Sequence, residues 1–216
     1  MTGFLRITKL DFFTMKSQFA VYLSLILIVM MFGFMGSSAT VLCITGAWFV
    51  ALMSSNIFAI QEKNNLDRLY GSVSVSLKDI VLGRYVFIFL NYLISFFVVI
   101  ALYSCFSLFQ NKALELSDII LGFSLSFLVF SVITGIQMPL FFKMGYTKAK
   151  GWSLVPFIAV MALVVIPSFV SALSGIVEFM QSNQNALIGV GILASCIIQF
   201  LSYQIAVAFY RKRKRG

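Results

Sequence analysis

The chain contains long runs of apolar residues without a charge, and these runs constrain its fold more than any other feature of the sequence. One of them, FIFLNYLISFFVVIALY, covers residues 87–103. Runs of about 18 or more such residues are typical of helices that cross a lipid bilayer. A transmembrane β-barrel requires alternating apolar and polar residues over segments of about ten, and this run does not alternate. The sequence therefore predicts an all-α membrane protein.

Hydrophobic residues make up 61% of the 216 residues and charged residues 11%, whereas about a quarter of the residues in an average protein are charged. The net charge of +9 does not indicate nucleic-acid binding, because the basic residues flank apolar runs, where they set orientation and meet anionic lipid. Cys43, Cys105 and Cys196 lie in apolar runs and form no CxxC pair, and the chain has no His. The sequence thus favours neither a metal centre nor a disulfide framework.

Six segments are predicted to cross the membrane as helices, within a single transmembrane domain over residues 1–216. They cover residues 19–35, 40–60, 80–106, 119–142, 153–175 and 186–209. Residues 1–18 precede them as an N-terminal interfacial segment, which fits either an amphipathic helix on the inner leaflet or a charged entry to the first span. Residues 61–79 form a polar loop. Residues 176–186 form either an outer loop or a short re-entrant segment, which needs protein cover for its backbone.

The basic residues are distributed asymmetrically between the linkers. All sixteen Lys and Arg residues except Lys112 lie before the first span, between the second and third, between the fourth and fifth, or after the sixth. Because Lys and Arg concentrate in cytoplasmic loops, this pattern places both termini in the cytoplasm. Arg84 is counted here with the cytoplasmic linker, so the spans are expected to hold no acidic or basic residue, which disfavours ion-coupled transport.

The longest polar passage between the spans is EKNNLDRLYGSVSVSLKDIVLGRY at residues 62–85. Leu66, Leu69 and Tyr70 share one face of a predicted amphipathic helix. A helix of two to three turns is unstable alone in water, so it must dock on lipid headgroups, on the chain's own helix ends or in a groove of a cytoplasmic partner. Ser76 is in position to cap the helix that leads into the third span.

This passage resembles the cytoplasmic segment of small type-2 ABC exporter permeases, whose pattern is approximately an acidic–basic pair, a Leu-rich helix and S-L-P-V-S-R-K-D-I-V-L-G-K-Y. The matching residues are Ser72, Val75, Ser76, Lys78, Asp79, Ile80, Val81, Leu82, Gly83 and Tyr85. Ser74 replaces the usual Pro, and Leu77 stands where Arg is frequent. The layout of six spans with both termini inside is similar to the same family.

The resemblance implies that this passage is a coupling helix, which rests in a cleft of a separate ATP-hydrolysing subunit. The residues implied to contact the ATPase are Glu62, Lys63, Asn65, Leu66, Asp67, Arg68, Leu69 and Tyr70. The chain has no G-x-x-x-x-G-K-[ST] motif, so we expect no enzyme activity and no cofactor in it, with ATP and magnesium in the partner subunit. A second permease chain, identical or paralogous, and membrane lipid are the other expected partners, in a bacterial plasma membrane.

Several polar, uncharged residues lie within the predicted spans, where hydrogen bonding between helices is their simplest role. The alternative is that Gln137, with Ser131 and Thr134 one face away, lines a substrate path. An uncharged interior suits amphipathic cargo, and the resemblance favours a membrane-active peptide, as in exporters of phenol-soluble modulins. A non-transporting scaffold or immunity protein and a secondary carrier are the alternative functions.

Overall fold

A computed structural model describes residues 3–15, 19–64, 66, 76–110, 115–169 and 184–215 of the chain. These residues are helical apart from short turns, as the all-α prediction requires. The helices are α1 (Gly3–Met15), α2 (Phe19–Phe34), α3 (Ala39–Lys63), α4 (Leu77–Phe109), α5 (Leu116–Met144), α6 (Tyr146–Ala149), a 3-10 turn (Trp152–Leu154), α7 (Val155–Phe169) and α8 (Gln184–Arg215).

Four of these helices, α3, α4, α5 and α8, are long and apolar enough to cross a membrane. Helices α2 and α7 are apolar but shorter. The 16 residues of α2 rise about 24 Å at about 1.5 Å per residue, which is less than the hydrocarbon thickness of about 30 Å. The chain is therefore a multi-pass membrane protein by its apolar helices, while the count of six spans stays a prediction. Residues 176–183 of the predicted outer loop or re-entrant segment lie outside the described residues.

Helix α4 begins where the sequence predicts. The backbone of Ser76 is extended, and its hydroxyl accepts a hydrogen bond from the backbone N of Asp79 at 3.1 Å. This contact satisfies one of the N–H groups that a helix start leaves free, and such caps contribute about 1 kcal/mol. The 33 residues of α4 extend about 50 Å, so the helix is longer than a bilayer's hydrocarbon core is thick.

Helices α3, α4, α5 and α8 pack around a core that is rich in aromatic rings. Tyr92 of α4 stacks on Phe130 of α5 with ring centroids 4.6 Å apart. Phe58 of α3 stacks on Phe141 of α5 at 4.8 Å. Such ring pairs contribute about 0.5–1.5 kcal/mol beyond the burial of their area. In lipid, where apolar side chains gain little by leaving the solvent, close packing of this kind holds helices together.

Helices α5 and α8 are also joined by hydrogen bonds along their length. Ser124 donates to the carbonyl of Ile188 at 3.0 Å, and Ser202 donates to the carbonyl of Gly135 at 2.8 Å. The opposite face of α8 exposes the apolar side chains of Val190, Leu193, Ile197, Phe200, Leu201 and Ile205. A face of this composition suits contact with lipid or with another apolar surface.

The N-terminal helix α1 packs directly against the first turns of α4. A Cβ atom at Gly83 would lie 2.8 Å from the carbonyl oxygen of Phe4 and 2.8 Å from Cβ of Ile7. Glycine at this position therefore allows the two backbones to approach closely. At this close approach of α1 to α4, the hydroxyl of Thr8 donates a hydrogen bond to the carbonyl of Gly83 at 3.0 Å. Helix α1 is thus held by the bundle on one face.

Candidate functional site

The structure describes three of the eight residues that were predicted to contact an ATPase. Glu62 and Lys63 end helix α3 and are exposed, and Leu66 is half-buried against the main core. The other five lie outside the described residues: Asn65, Asp67, Arg68, Leu69 and Tyr70. The docking role of all eight residues stays a prediction. The first two of them, Glu62 and Lys63, are the last residues of α3.

The carboxylate of Glu62 joins the end of α3 to the turn that follows α5. It accepts hydrogen bonds from the backbone N of Tyr146 at 2.7 Å, from the backbone N of Thr147 at 3.2 Å and from the Thr147 hydroxyl. It thereby fills the position of an N-cap for α6, although it comes from another helix. Arg213, near the end of α8, attracts the same carboxylate. These residues and Gly145 are named the Glu62 joint.

Gly145 gives the Glu62 joint its geometry. Its backbone has φ 78° and ψ 172°, a region that is essentially restricted to glycine. A Cβ atom at this position would also lie 3.2 Å from the Glu62 carboxylate and 3.4 Å from the Arg213 guanidinium. The joint borders a cleft of about 410 Å³, lined by Gln61, Glu62, Met144, Gly145, Thr147, Lys148 and Arg213. The turn and the cleft therefore both depend on this glycine.

The end of the molecule that holds the Glu62 joint is strongly basic. Its exposed cations are Lys63, Lys143, Lys148, Lys150, Arg211, Lys212, Arg213 and Lys214. The ammonium of Lys143 lies 5.0 Å from the ring centroid of Phe209, which keeps its charge beside α8 just before the basic end of that helix. Helices that are far apart in the sequence thus bring their basic ends to one place, where they produce a positive potential.

An ion pair is buried on the other side of the polar loop, at the base of α4. Arg84, which the sequence analysis counted with the linker, lies inside α4 and is 0% exposed. The structure thus corrects the assignment of Arg84 to the linker: this residue belongs to α4, within the range predicted for the third span, residues 80–106. The Nε atom of Arg84 is 3.6 Å from Oδ2 of Asp11, a residue that is 1% exposed. Its guanidinium also lies 4.8 Å from the ring centroid of Phe58. Arg84 thus contacts α1 and α3 from α4.

Burial dominates the electrostatics of this pair. Removal from water raises the pKa of the Asp11 carboxyl, and the positive charge of Arg84 acts in the opposite direction. A buried ion pair adds little net stability, because desolvation offsets the attraction, but removal of one partner leaves a buried charge and costs about 3–5 kcal/mol. The pair therefore makes the position of α1 depend strongly on that of α4.

Sequence reasoning missed this pair, although α1 carries a signal for it. Asp11 follows Phe4 and Ile7 at helical spacing, so it belongs to the face that α1 buries. A carboxylate on a buried face requires a proton or a cationic partner. The partner could not be identified, because nothing in the sequence predicts that α1 packs against the base of α4.

The three residues proposed for a substrate path are buried in α5, but they have different surroundings. Gln137 accepts a hydrogen bond from the Ser54 hydroxyl at 3.3 Å and donates to a backbone carbonyl before α7 at 3.1 Å. Thr134 accepts a hydrogen bond from Gln199 of α8 at 2.9 Å. The Ser131 hydroxyl is buried without a hydrogen-bond partner among the described residues. Gln137 and Thr134 thus bond between elements, and a role in a substrate path stays a prediction.

These observations define a class of protein before any comparison is made. Long apolar helices, a core of rings and interhelical hydrogen bonds, and a basic end describe a multi-pass α-helical membrane protein. A family model described as "ABC-2 family transporter protein" matches residues 7–211. The match covers nearly the whole chain, so the chain belongs to this family. The search of curated proteins and the search of solved structures each gave no match.

Membership in this family confirms the coarse functional prediction. The chain is the membrane permease component of an ABC transporter. Such permeases typically lack ATPase activity of their own and generally pair with an ABC ATPase. The family does not identify the substrate.

Proposed function

We propose that the chain is the membrane-spanning subunit of an ATP-driven exporter that moves an amphipathic substrate, favoured here as a membrane-active peptide, out of a bacterial cell. A separate ATPase subunit binds the polar loop between α3 and α4 and holds the ATP and magnesium. A second permease chain, identical or paralogous, completes the path. The polar loop and both termini face the cytoplasm.

The Glu62 joint is the observation that carries this proposal. Helix α3 ends at Lys63, within the passage that is predicted to dock on the ATPase. Glu62 connects this end to the backbone of Tyr146 and Thr147 after α5, and Arg213 brings in α8. A force on the loop is therefore transmitted to three helices that are not adjacent in the sequence. A loop attached only to its own two helices would lack this property.

The far end of the loop is anchored in a similar way. Ser76 caps α4, and two turns later Arg84 contacts Asp11 of α1 and Phe58 of α3. Both ends of the loop are thus attached to several helices, which suits the transmission of a displacement to the membrane segments. The basic end described above supports the cytoplasmic orientation, because Lys and Arg concentrate on that side.

The docking step is tested by isolation of the tagged chain from its native membranes in a mild detergent. ATP hydrolysis that co-purifies with the wild-type chain is measured and compared with that of Leu69→Asp, in the predicted docking helix. We expect at least a tenfold loss of co-purifying ATPase activity, because a charge replaces an apolar contact. Glu115→Gln, an exposed change beyond the span of α4, is the matched control. Equal ATPase recovery from all three chains would contradict the proposal.

The driving force is tested separately in inverted membrane vesicles. Uptake of a labelled amphipathic peptide should require ATP, should be blocked by vanadate and should continue when a protonophore removes the proton gradient. Peptide uptake that stops when the protonophore is added and does not depend on ATP would show a secondary carrier instead. A chain that recovers no ATPase and moves no peptide under either condition would be the scaffold or immunity protein.

A further inference from the structure

An apolar groove lies between α1, α2 and α4, and it shares no lining residue with the cleft at the Glu62 joint. Its volume is about 520 Å³, within the range of about 300–1,000 Å³ that is typical of small-molecule sites. Its lining residues are Phe12, Phe13, Tyr22, Leu23, Leu25, Ile26, Phe87, Asn91, Ile94, Ser95 and Val98. Leu23 and Ile94 are about half exposed, so the groove opens sideways toward the surroundings of the bundle.

The dimensions of the groove match one leaflet of a bilayer. Along α4 it extends from Phe87 to Val98, which at about 1.5 Å per residue is about 16 Å. The hydrocarbon core of a membrane is about 30 Å thick, so the groove covers about half of it. An extended hydrocarbon chain that lies along α4 fits a groove of this length.

Two polar side chains of the lining, Tyr22 and Asn91, are hydrogen-bonded within the protein, whereas the Ser95 hydroxyl is buried without a hydrogen-bond partner among the described residues. The Tyr22 hydroxyl donates to Oδ1 of Asn91 at 3.1 Å, and Nδ2 of Asn91 donates to the carbonyl of Phe87 at 3.0 Å. The Ser95 hydroxyl lies toward α3, 3.1 Å from the place that a Cβ atom of Gly46 would take. What remains for a ligand is hydrocarbon and the faces of aromatic rings, a lining that suits an acyl chain.

The groove begins at a cationic end. Phe12 and Phe13 of α1 form its mouth and are exposed. The ammonium of Lys9 lies 6.0 Å from the ring centroid of Phe13, and Arg6 is exposed on the same helix. Basic residues at the edge of an apolar surface attract anionic lipid headgroups.

We propose that this groove is a specific site for an anionic phospholipid, with one acyl chain between α2 and α4 and the phosphate group beside Lys9. Bound lipid then holds α1 against the rest of the bundle. The site is independent of the export function, so the failure of either proposal leaves the other intact. Occupation by an exported substrate is treated as a competing outcome of the test.

The test uses the whole chain in detergent and measures its melting temperature with added phosphatidylglycerol or phosphatidylcholine. We expect phosphatidylglycerol to raise the melting temperature by several degrees and phosphatidylcholine to raise it less. Ile94→Trp, which fills the groove from a half-exposed position, should abolish most of this shift. Leu27→Trp is the matched control, because Leu27 is an exposed residue of α2 outside the lining, and it should keep the full shift.

Lys9→Gln tests the headgroup contact. It should remove the preference for phosphatidylglycerol and leave the smaller shift with phosphatidylcholine. If Ile94→Trp does not elute as a single species, Leu23→Trp, also half-exposed in the lining, takes its place with the same expected result. An unchanged shift in the groove-filled chain would overturn the proposal. A groove-filled chain that loses peptide transport but keeps the lipid-induced shift in melting temperature would also overturn the proposal, because the groove would then bind the exported substrate.

Discussion

The two ends of the polar loop are anchored by charged residues, but in opposite environments. Glu62 is exposed, and its carboxylate is bonded to backbone N–H groups and to a hydroxyl. Asp11 and Arg84 are removed from solvent, and Oδ2 of Asp11 lies 3.6 Å from Nε of Arg84, which is longer than a hydrogen bond. One anchor therefore depends on the geometry of its bonds and the other on the cost of separating charges without water.

This difference predicts how each anchor responds to change. Exposed charges are screened by water and salt, so a single exposed contact is worth about 1 kcal/mol or less. A buried charge that loses its partner cannot be screened, and the whole desolvation penalty appears. The base of α4 should therefore be the stiffer anchor. The Glu62 joint should be the one that can open and close at small energetic cost, as a coupling element requires.

The largest effect is expected from removal of one member of the buried pair. Asp11→Leu leaves Arg84 buried without its carboxylate, and we expect a loss of about 3–5 kcal/mol of stability. The measurement is the thermal or denaturant-induced unfolding of the purified chain in detergent, monitored by size-exclusion elution.

The double variant Asp11→Leu/Arg84→Met separates the charge effect from packing. Replacement of both partners by apolar side chains of similar size is often neutral or stabilising, so the double variant should recover most of the loss. Leu5→Met, an exposed change on the same helix outside the groove lining, should leave the melting temperature unchanged. A double variant that is less stable than Asp11→Leu alone would show that the pair is stabilising in itself, contrary to the comparison above.

The next effect concerns the backbone of the Glu62 joint. Gly145→Ala places a Cβ atom at a positive φ and close to the Glu62 carboxylate, and we expect a loss of about 1–3 kcal/mol. Gly151→Ala is the matched control. Gly151 has helical backbone angles and open space at its Cβ position, so alanine there should be neutral or slightly stabilising. Equal melting temperatures for the two variants would remove the geometric argument for the joint.

A smaller effect is expected from the Glu62 side chain. Glu62→Ala removes three hydrogen bonds from the start of α6 and should lower stability by about 1 kcal/mol, the value typical of a lost N-cap. Glu62→Gln keeps an acceptor oxygen and should lose about half of that. The same unfolding measurement applies. A loss above 3 kcal/mol in Glu62→Ala would show that this anchor behaves like the buried one and would erase the distinction between them.

Local features of the fold were predictable because they depend on neighbouring residues. The cap at Ser76 follows from a hydroxyl three residues before the Asp79 amide, and the structure confirms it. The apolar runs predicted the long helices in the same way. Helix α2 covers residues 19–34, within one residue of the predicted span at 19–35.

The site was less predictable, because its contacts join distant parts of the chain. Glu62 was identified from the passage that resembles a coupling segment, but its bonds to Thr147 are a property of the fold. Arg84 was counted with the basic residues of the linker between the second and third spans. Its burial results from the packing of α1, for which the sequence offers Asp11 on an apolar face and no indication of the partner.

The smallest effect is the pH dependence of the buried pair. Because burial raises the pKa of Asp11 in the folded chain, the folded state holds a proton at pH values where the unfolded state has lost it. The stability linked to this group is therefore fully present below the unfolded pKa and is lost as the pH rises through the folded pKa. Acidification from neutral pH toward the ordinary aspartate pKa of about 4 should stabilise the wild-type chain relative to Asp11→Asn, which cannot titrate at this position. If the melting temperatures of the wild-type chain and of Asp11→Asn change equally with pH, the Asp11 carboxyl does not titrate in this interval. A wild-type chain that loses stability faster than the variant on acidification would show that attraction to Arg84 outweighs burial, and the base of α4 would then resemble the Glu62 joint in its electrostatics.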